Sequence, residues 1–290
     1  MKQRVLSGII FALVAVAAFV VNVFFGYTFS LLAALVAVLC VFELYRCVDI
    51  PRKGIFFACA EVFTAGALLL FLPGYAVTTW MFAAQIVLTA AFLVVTAANA
   101  FCSRDGRSKT LYLGGITLLI TLSIGILTCW GTVCMVSQEN KHTILGILML
   151  VVTLMAPFAS DIAGLLVGMS FGKHKMAPTV SPKKSWEGFI GSLVGAPLLL
   201  MLIGLVSDFF CRRADYPLRA NLLSLLLTGL IGAVIGTSGD LFFSLIKRKA
   251  GIKDYGSILP GHGGMLDRFD SVIFTTIPVT ALYLLLPQFA

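Results

Sequence analysis

Four aspartates stand in or beside long apolar runs: Asp161 in "SDIAGLLVGMSFGK", Asp240 in "GLIGAVIGTSGDLFFSLIKRK", and Asp267 and Asp270 in "LPGHGGMLDRFD". A carboxylate near mid-membrane costs about 3 kcal/mol even on the mildest insertion scale. Helical geometry puts Asp161 roughly 15 Å, and Asp240 roughly 9 Å, from the same end of their runs. Asp267 and Asp270 are three apart, so they share one helix face at the mouth of the last run. For Asp161 or Asp240 alone, an ion pair with a loop lysine is an equally good reading. Taken jointly, Asp240, Asp267 and Asp270 read as a divalent-cation site. Magnesium binds through one or two protein carboxylates plus substrate phosphate oxygens.

Basic loops flank these acids. "SPKKSWEG" places Lys183 and Lys184 just before a span, and "KRKAGIKD" adds Lys247, Arg248, Lys249 and Lys253. Loop charge of this kind also attracts anionic lipid without any catalytic role. Pro, Gly and His nearby narrow the reading. "GHGG", with His262, Gly263 and Gly264, leads a flexible backbone into a helix N-terminus whose free N–H groups favour phosphate. His262 alone reads as an interfacial histidine. From the residues, then, a phosphate- and metal-binding site is expected at the cytoplasmic membrane face, with a lipid headgroup in reach.

The elements that position these residues are membrane helices. The chain of 290 residues is 59% hydrophobic and 12% charged, with mean hydropathy +1.02, which excludes an ordinary soluble domain. Apolar runs long enough to span, about 20 residues each, are expected near 5–25, 28–48, 54–73, 76–102, 111–136, 143–170, 188–210, 221–246 and 269–288. The predicted fold is an all-α polytopic membrane protein of about nine transmembrane helices with a cytoplasmic N-terminus. In that arrangement 17 of the 21 Lys and Arg residues face inward, as the positive-inside rule requires. The weak point is the loop with Arg212, Arg213 and Arg219. The first run reads as a retained helix rather than a cleaved signal. The seven cysteines show no metal-like spacing and read as small core residues.

Gly229, Gly232, Gly236 and Gly239 mark one face of their helix, where a neighbouring backbone can come close. Asp240 extends that stripe and should point into the bundle. Glu43 and Glu61 read as structural, either snorkelling to the interface or hydrogen bonded in the bundle. Residues 1–150 form plain apolar helices, a scaffold, and 151–290 a catalytic region with long basic loops. No internal repeat is visible, which argues against a two-halved transporter.

The stretch "SLIKRKAGIKDYGSILPGHGGMLDRFD", 244–270, resembles the signature of the phosphatidate cytidylyltransferase (CDP-diacylglycerol synthase) family. It agrees at Ser244, Lys247, Arg248, Lys253, Asp254 and Gly256, and again at Leu259, Pro260, His262, Gly263, Gly264, Asp267, Arg268 and Asp270. "SPKKSWEG" is similar to a second family segment, with Ser185 in place of Thr. "SDIAGLLVGMSFGK" resembles a third, with Gly164 in place of Tyr. The resemblance covers about residues 155–290.

It implies an integral membrane enzyme with its site on the cytoplasmic face, of the inner membrane if the source is bacterial, that makes CDP-diacylglycerol and pyrophosphate from CTP and phosphatidate. Magnesium is implied at Asp240, Asp267 and Asp270, with potassium as an assisting monovalent ion. Phosphates would be held by Lys183, Lys184, Lys247, Arg248, Lys253, Gly263, Gly264 and Arg268. His262 would contact a phosphate or orient an acid, and Asp161 would serve behind the metal or at the nucleotide. Partners are CTP, phosphatidate and membrane lipid, without nucleic acid, and a homodimer is compatible. The rival readings are a proton-coupled anion transporter and a phosphatidyltransferase. The latter calls for a "DGxxAR…GxxxDxxxD"-like array, which the chain lacks.

Overall fold

A computed structural model describes residues 28–48, 53–69, 79–102, 107–136, 140–258 and 263–289. Its helices are α1 (Thr28–Cys47), α2 (Lys53–Leu69), α3 (Thr79–Cys102), α4 (Arg107–Val136), α5 (Asn140–Phe171), α6 (Trp186–Arg213), α7 (Leu222–Ile231), α8 (Thr237–Lys249) and α9 (Leu266–Leu285). A π-helical turn, Gly232–Gly236, joins α7 to α8 in one continuous rod. The described residues thus hold eight helical rods, one on each expected span from the second to the ninth. The first expected span, 5–25, lies outside the described residues. Five rods are long and apolar enough to cross a membrane, and the chain is an integral, polytopic α-helical membrane protein.

Helices form because backbone N–H and C=O groups have no water to bond in hydrocarbon and must pair within the segment. Buried threonines follow the same rule: the hydroxyls of Thr117, Thr121 and Thr153 each donate to the carbonyl four residues back. One departure from an all-helical chain is a short antiparallel hairpin between α5 and α6, of β1 (Lys175–Ala177) and β2 (Ser181–Ser185). Hydropathy does not register it, because a polar five-residue strand looks like a loop.

The chain divides into two compact units, one of residues 1–136 with 250–268 and one of residues 137–249 with 269–290. In the first, α1 packs on α2 and α4, and α3 on α2 and α4. Phe56 and Phe63 stack on Phe92, and Tyr45 Oη lies 3.2 Å from Thr117 Oγ1.

In the second unit α5 and α6 pack along their length, and α6 packs on α7. Gly164 and Gly188 permit the close approach: a Cβ on Gly164 would strike Ser192 Oγ, and one on Gly188 would meet the Gly164 carbonyl at 2.7 Å. The glycines give the close approach that was expected, but not on a single face: the π-helical turn at Gly232–Gly236 shifts the register, and they meet α6, α5 and α9 in turn. Gly229 abuts the backbone of Ala196 and Pro197, Gly232 that of Ala156, and Gly239 the ring of Phe274. The chain end is pinned to the start of α7, where Asn221 N donates to the Gln288 carbonyl at 2.7 Å. Among the described residues, no disulfide involves Cys40, Cys47, Cys59 or Cys211.

Candidate functional site

The second unit gathers three of the four aspartates. Asp240, in the first turn of α8, forms a 2.7 Å ion pair with Lys184 Nζ from the end of β2. Its other oxygen accepts from Ser244 Oγ at 3.2 Å. Asp161, on α5, accepts from Ser271 Oγ of α9 at 3.4 Å. Asp270 is buried on α9 and accepts from the N–H of Ser271 at 2.7 Å. Asp240 lies within electrostatic reach of both Asp161 and Asp270, while Lys184 faces Asp161 and Lys247 faces Asp270. Lys247 is itself 9% exposed, and a buried ammonium needs such a carboxylate partner. Beside the cluster is a cavity of about 140 Å³ whose lining mixes the charged side chains of Asp161, Lys183 and Lys184 with the apolar ones of Leu165 and Phe189. A lining of mixed polarity suits an amphiphile.

The hairpin delivers the lysines. Ser185 ends β2 and caps α6, accepting from Gly188 N at 3.2 Å. Ser and Thr both serve as N-caps, so serine here keeps the function of threonine. Glu187, in the first turn of α6, accepts from the N–H groups of Lys173 and His174 and pairs with His174 Nδ1 at 2.6 Å. Lys184 Nζ also donates to the Thr237 carbonyl at 3.4 Å. Arg248, expected on a phosphate, donates from Nε to the Val180 carbonyl in the hairpin turn at 3.2 Å.

The first unit holds the rest of the signature. Asp267 Oδ2 accepts from Tyr255 N at 2.8 Å and from Gly264 N at 3.0 Å. Glu43, 1% exposed in the last turn of α1, accepts from Met265 N at 3.0 Å and Leu266 N at 2.9 Å. The N–H groups at the start of α9 were expected to be free for phosphate. Instead, Gly264, Met265 and Leu266 all donate to carboxylates. A phosphate here must be held by side chains or other N–H groups. Gly263 has φ +87°, the left-handed region that favours glycine. Lys253 and Arg268 are exposed, and His262 lies outside the described residues.

Of the residues singled out in the sequence, the second unit brings Asp161, Asp240, Asp270, Lys184 and Lys247 near one another, while Asp267 bonds to loop N–H groups in the first unit. Sequence reasoning missed the partners: Ser271, Thr237, Glu187 and above all Glu43. Glu43 takes the hydrogen-bonded alternative of its two readings. Both carboxylate oxygens of Glu61 are buried without a hydrogen-bond partner among the described residues. An acid's partner far along the chain leaves no trace in periodicity or spacing.

A family model described as the cytidylyltransferase family matches residues 2–286, nearly the whole chain. The chain belongs to the cytidylyltransferase family. Proteins named phosphatidate cytidylyltransferase are similar to it. One from Mycobacterium bovis is 35% identical over 184 residues, covering 61% of this chain and 53% of that protein. One from Rickettsia prowazekii is 43% identical over 115 residues, 40% of this chain and 49% of that protein. One from Rickettsia typhi is 34% identical over 177 residues, 61% of this chain and 72% of that protein. The match to the first of these spans about half of the relative's length.

For this cytidylyltransferase-family chain, the donor set fits magnesium in kind. The acids offer hard carboxylate oxygens, and magnesium needs only one or two of them when waters and phosphate oxygens complete its shell. Among the described residues, no three His, Cys, Asp or Glu side chains stand close enough together to hold a metal ion by themselves. Gly164, which departs from the tyrosine of the related pattern, is accounted for by the tight α5–α6 contact.

Proposed function

We propose that the protein transfers a cytidylyl group from CTP to phosphatidate, giving CDP-diacylglycerol and pyrophosphate, with its site on the cytoplasmic side of the membrane. The observation that carries this reading is the cluster of Asp161, Asp240 and Asp270 with Lys184 and Lys247, beside a cavity lined by both charged and apolar side chains. Membership of the family and the names of the relatives supply the nucleotide and the lipid. The inward bias of basic residues supplies the side.

In this reaction a phosphatidate oxygen attacks the α-phosphorus of CTP and the bond to pyrophosphate breaks. A phosphate monoester loses its second proton at a pKa of about 6, so the nucleophile is already ionised at neutral pH and needs no strong base. The difficulty is to bring two polyanions together. Lys183 and Lys184 at the cavity wall hold phosphate, and Lys247 offsets charge at Asp270. Asp240 keeps Lys184 in place through their ion pair. Thr237 receives a further Lys184 hydrogen bond, which limits its rotation. Bound magnesium would neutralise charge on the triphosphate and on the leaving group. The acids proposed to hold it are Asp240, Asp270 and Asp267, the last of which also accepts two loop N–H groups. A monovalent cation such as potassium would add to this screening. Leu165 and Phe189 face the acyl side of the lipid.

The test is to incubate purified protein with phosphatidate, CTP and magnesium and to look for CDP-diacylglycerol by mass spectrometry. The expected result is product with wild type and at least a 100-fold loss in Asp240→Asn, a size typical of removing a key electrostatic group. No product with wild type, or full activity in the variant, would overturn the proposal.

A further inference from the structure

Glu43 lies in the last turn of α1, an end where the helix dipole disfavours an anion, and it is 1% exposed. Both of its oxygens are spent on the backbone N–H groups of Met265 and Leu266, at the N-terminus of α9, where an anion is favoured. The loop is shaped to admit it. A Cβ on Gly256 would collide with Glu43 Oε1, and one on Gly264 with Glu43 Oε2. Two glycines of the signature-like stretch are thus explained by one acid more than 200 residues away in the chain. Cys47, one turn on, adds a thiol contact to the Tyr255 carbonyl at 3.7 Å. Glu43 and Asp267 together take four loop N–H groups, those of Tyr255, Gly264, Met265 and Leu266.

We infer that Glu43 is a positioning residue for the reaction: by clamping the first N–H groups of α9 it sets the place of Asp267 and, through Asp267, of Tyr255 and Gly264. This rests on the cytidylyl-transfer reading for what the loop does. A neutral amide at this position fits poorly, because Gln offers one acceptor and one donor to two N–H donors. Misplacement by about 1 Å from a residue outside the chemistry can lower turnover about 100-fold.

The test compares wild type with Glu43→Gln and Glu43→Asp in detergent, reading kcat, KM for CTP, half-saturating magnesium and amide exchange of peptides covering 254–268. Glu43→Gln is expected to lower kcat about 100-fold, leave KM for CTP within about threefold, raise half-saturating magnesium, and speed exchange in that segment alone. Glu43→Asp, which keeps both acceptors on a shorter stem, should fall between. Unchanged kcat and unchanged exchange in Glu43→Gln would overturn the inference. So would lost activity matched by lost folded protein with magnesium dependence unaltered in both variants. Absence of CDP-lipid in wild type would instead strike the functional reading, and amide exchange would still decide whether the clamp exists.

Discussion

Lys184 makes two contacts that decide its role: an ion pair with Asp240 and a hydrogen bond to the Thr237 carbonyl. Its side chain is 21% exposed and that of Asp240 27%, so the pair is only partly screened by solvent and holds a definite geometry. Replacing Lys184 with Met removes a cation proposed to hold phosphate and leaves Asp240 without this partner. The expected outcome is a loss of about 100-fold in kcat/KM, read by initial-rate kinetics, with a smaller loss for Lys183→Met, whose side chain is exposed at the cavity wall. Equal losses in the two variants would contradict the assignment. The acids themselves were visible in the sequence because charge in an apolar run is costly and therefore conspicuous. Ser271, whose hydroxyl donates to Asp161, was not, since a serine in a membrane helix usually bonds only to its own backbone.

The hairpin and the loop before α9 explain why certain residue types stand where they do. The hairpin, unforeseen from hydropathy, depends on Glu187, which joins α6 to the N–H groups and ring of the α5–β1 connection. Glu187→Ala should loosen it and speed tryptic cleavage at Lys173, Lys175 and Lys183 relative to the rest of the chain, as limited proteolysis would record. The loop glycines divide into two kinds. Gly251 has φ +71° and open space around it, whereas Gly264 abuts the Glu43 carboxylate. Gly251→Ala should therefore cost only the backbone penalty, about 1 kcal/mol. Gly264→Ala, which must displace a buried acid, should cost more and reduce activity with it. Thermal unfolding of both variants in one detergent checks the order. The helix N-terminus was legible as a feature of the sequence but not its use. That N-terminus favours any anion, and spacing cannot tell a substrate phosphate from the chain's own glutamate.

At the scale of the whole molecule, eight expected spans coincide with eight helical rods because backbone pairing in hydrocarbon leaves few alternatives. In the first unit, α1 reaches the start of α9 through Glu43, a contact that hydropathy does not register. In sealed vesicles of known orientation, trypsin should reach the 173–184 and 247–253 segments from the cytoplasmic side only. Cleavage from the opposite face would reverse the proposed topology. The central claim is that CTP is attacked at its α-phosphorus. Parallel reactions with CTP labelled at the α- or the γ-phosphate, in the presence of phosphatidate and magnesium, test it most directly. The expected result is α-label in the lipid product and γ-label wholly in pyrophosphate; γ-label in the lipid, or no label there at all, would rule out attack at the α-phosphorus.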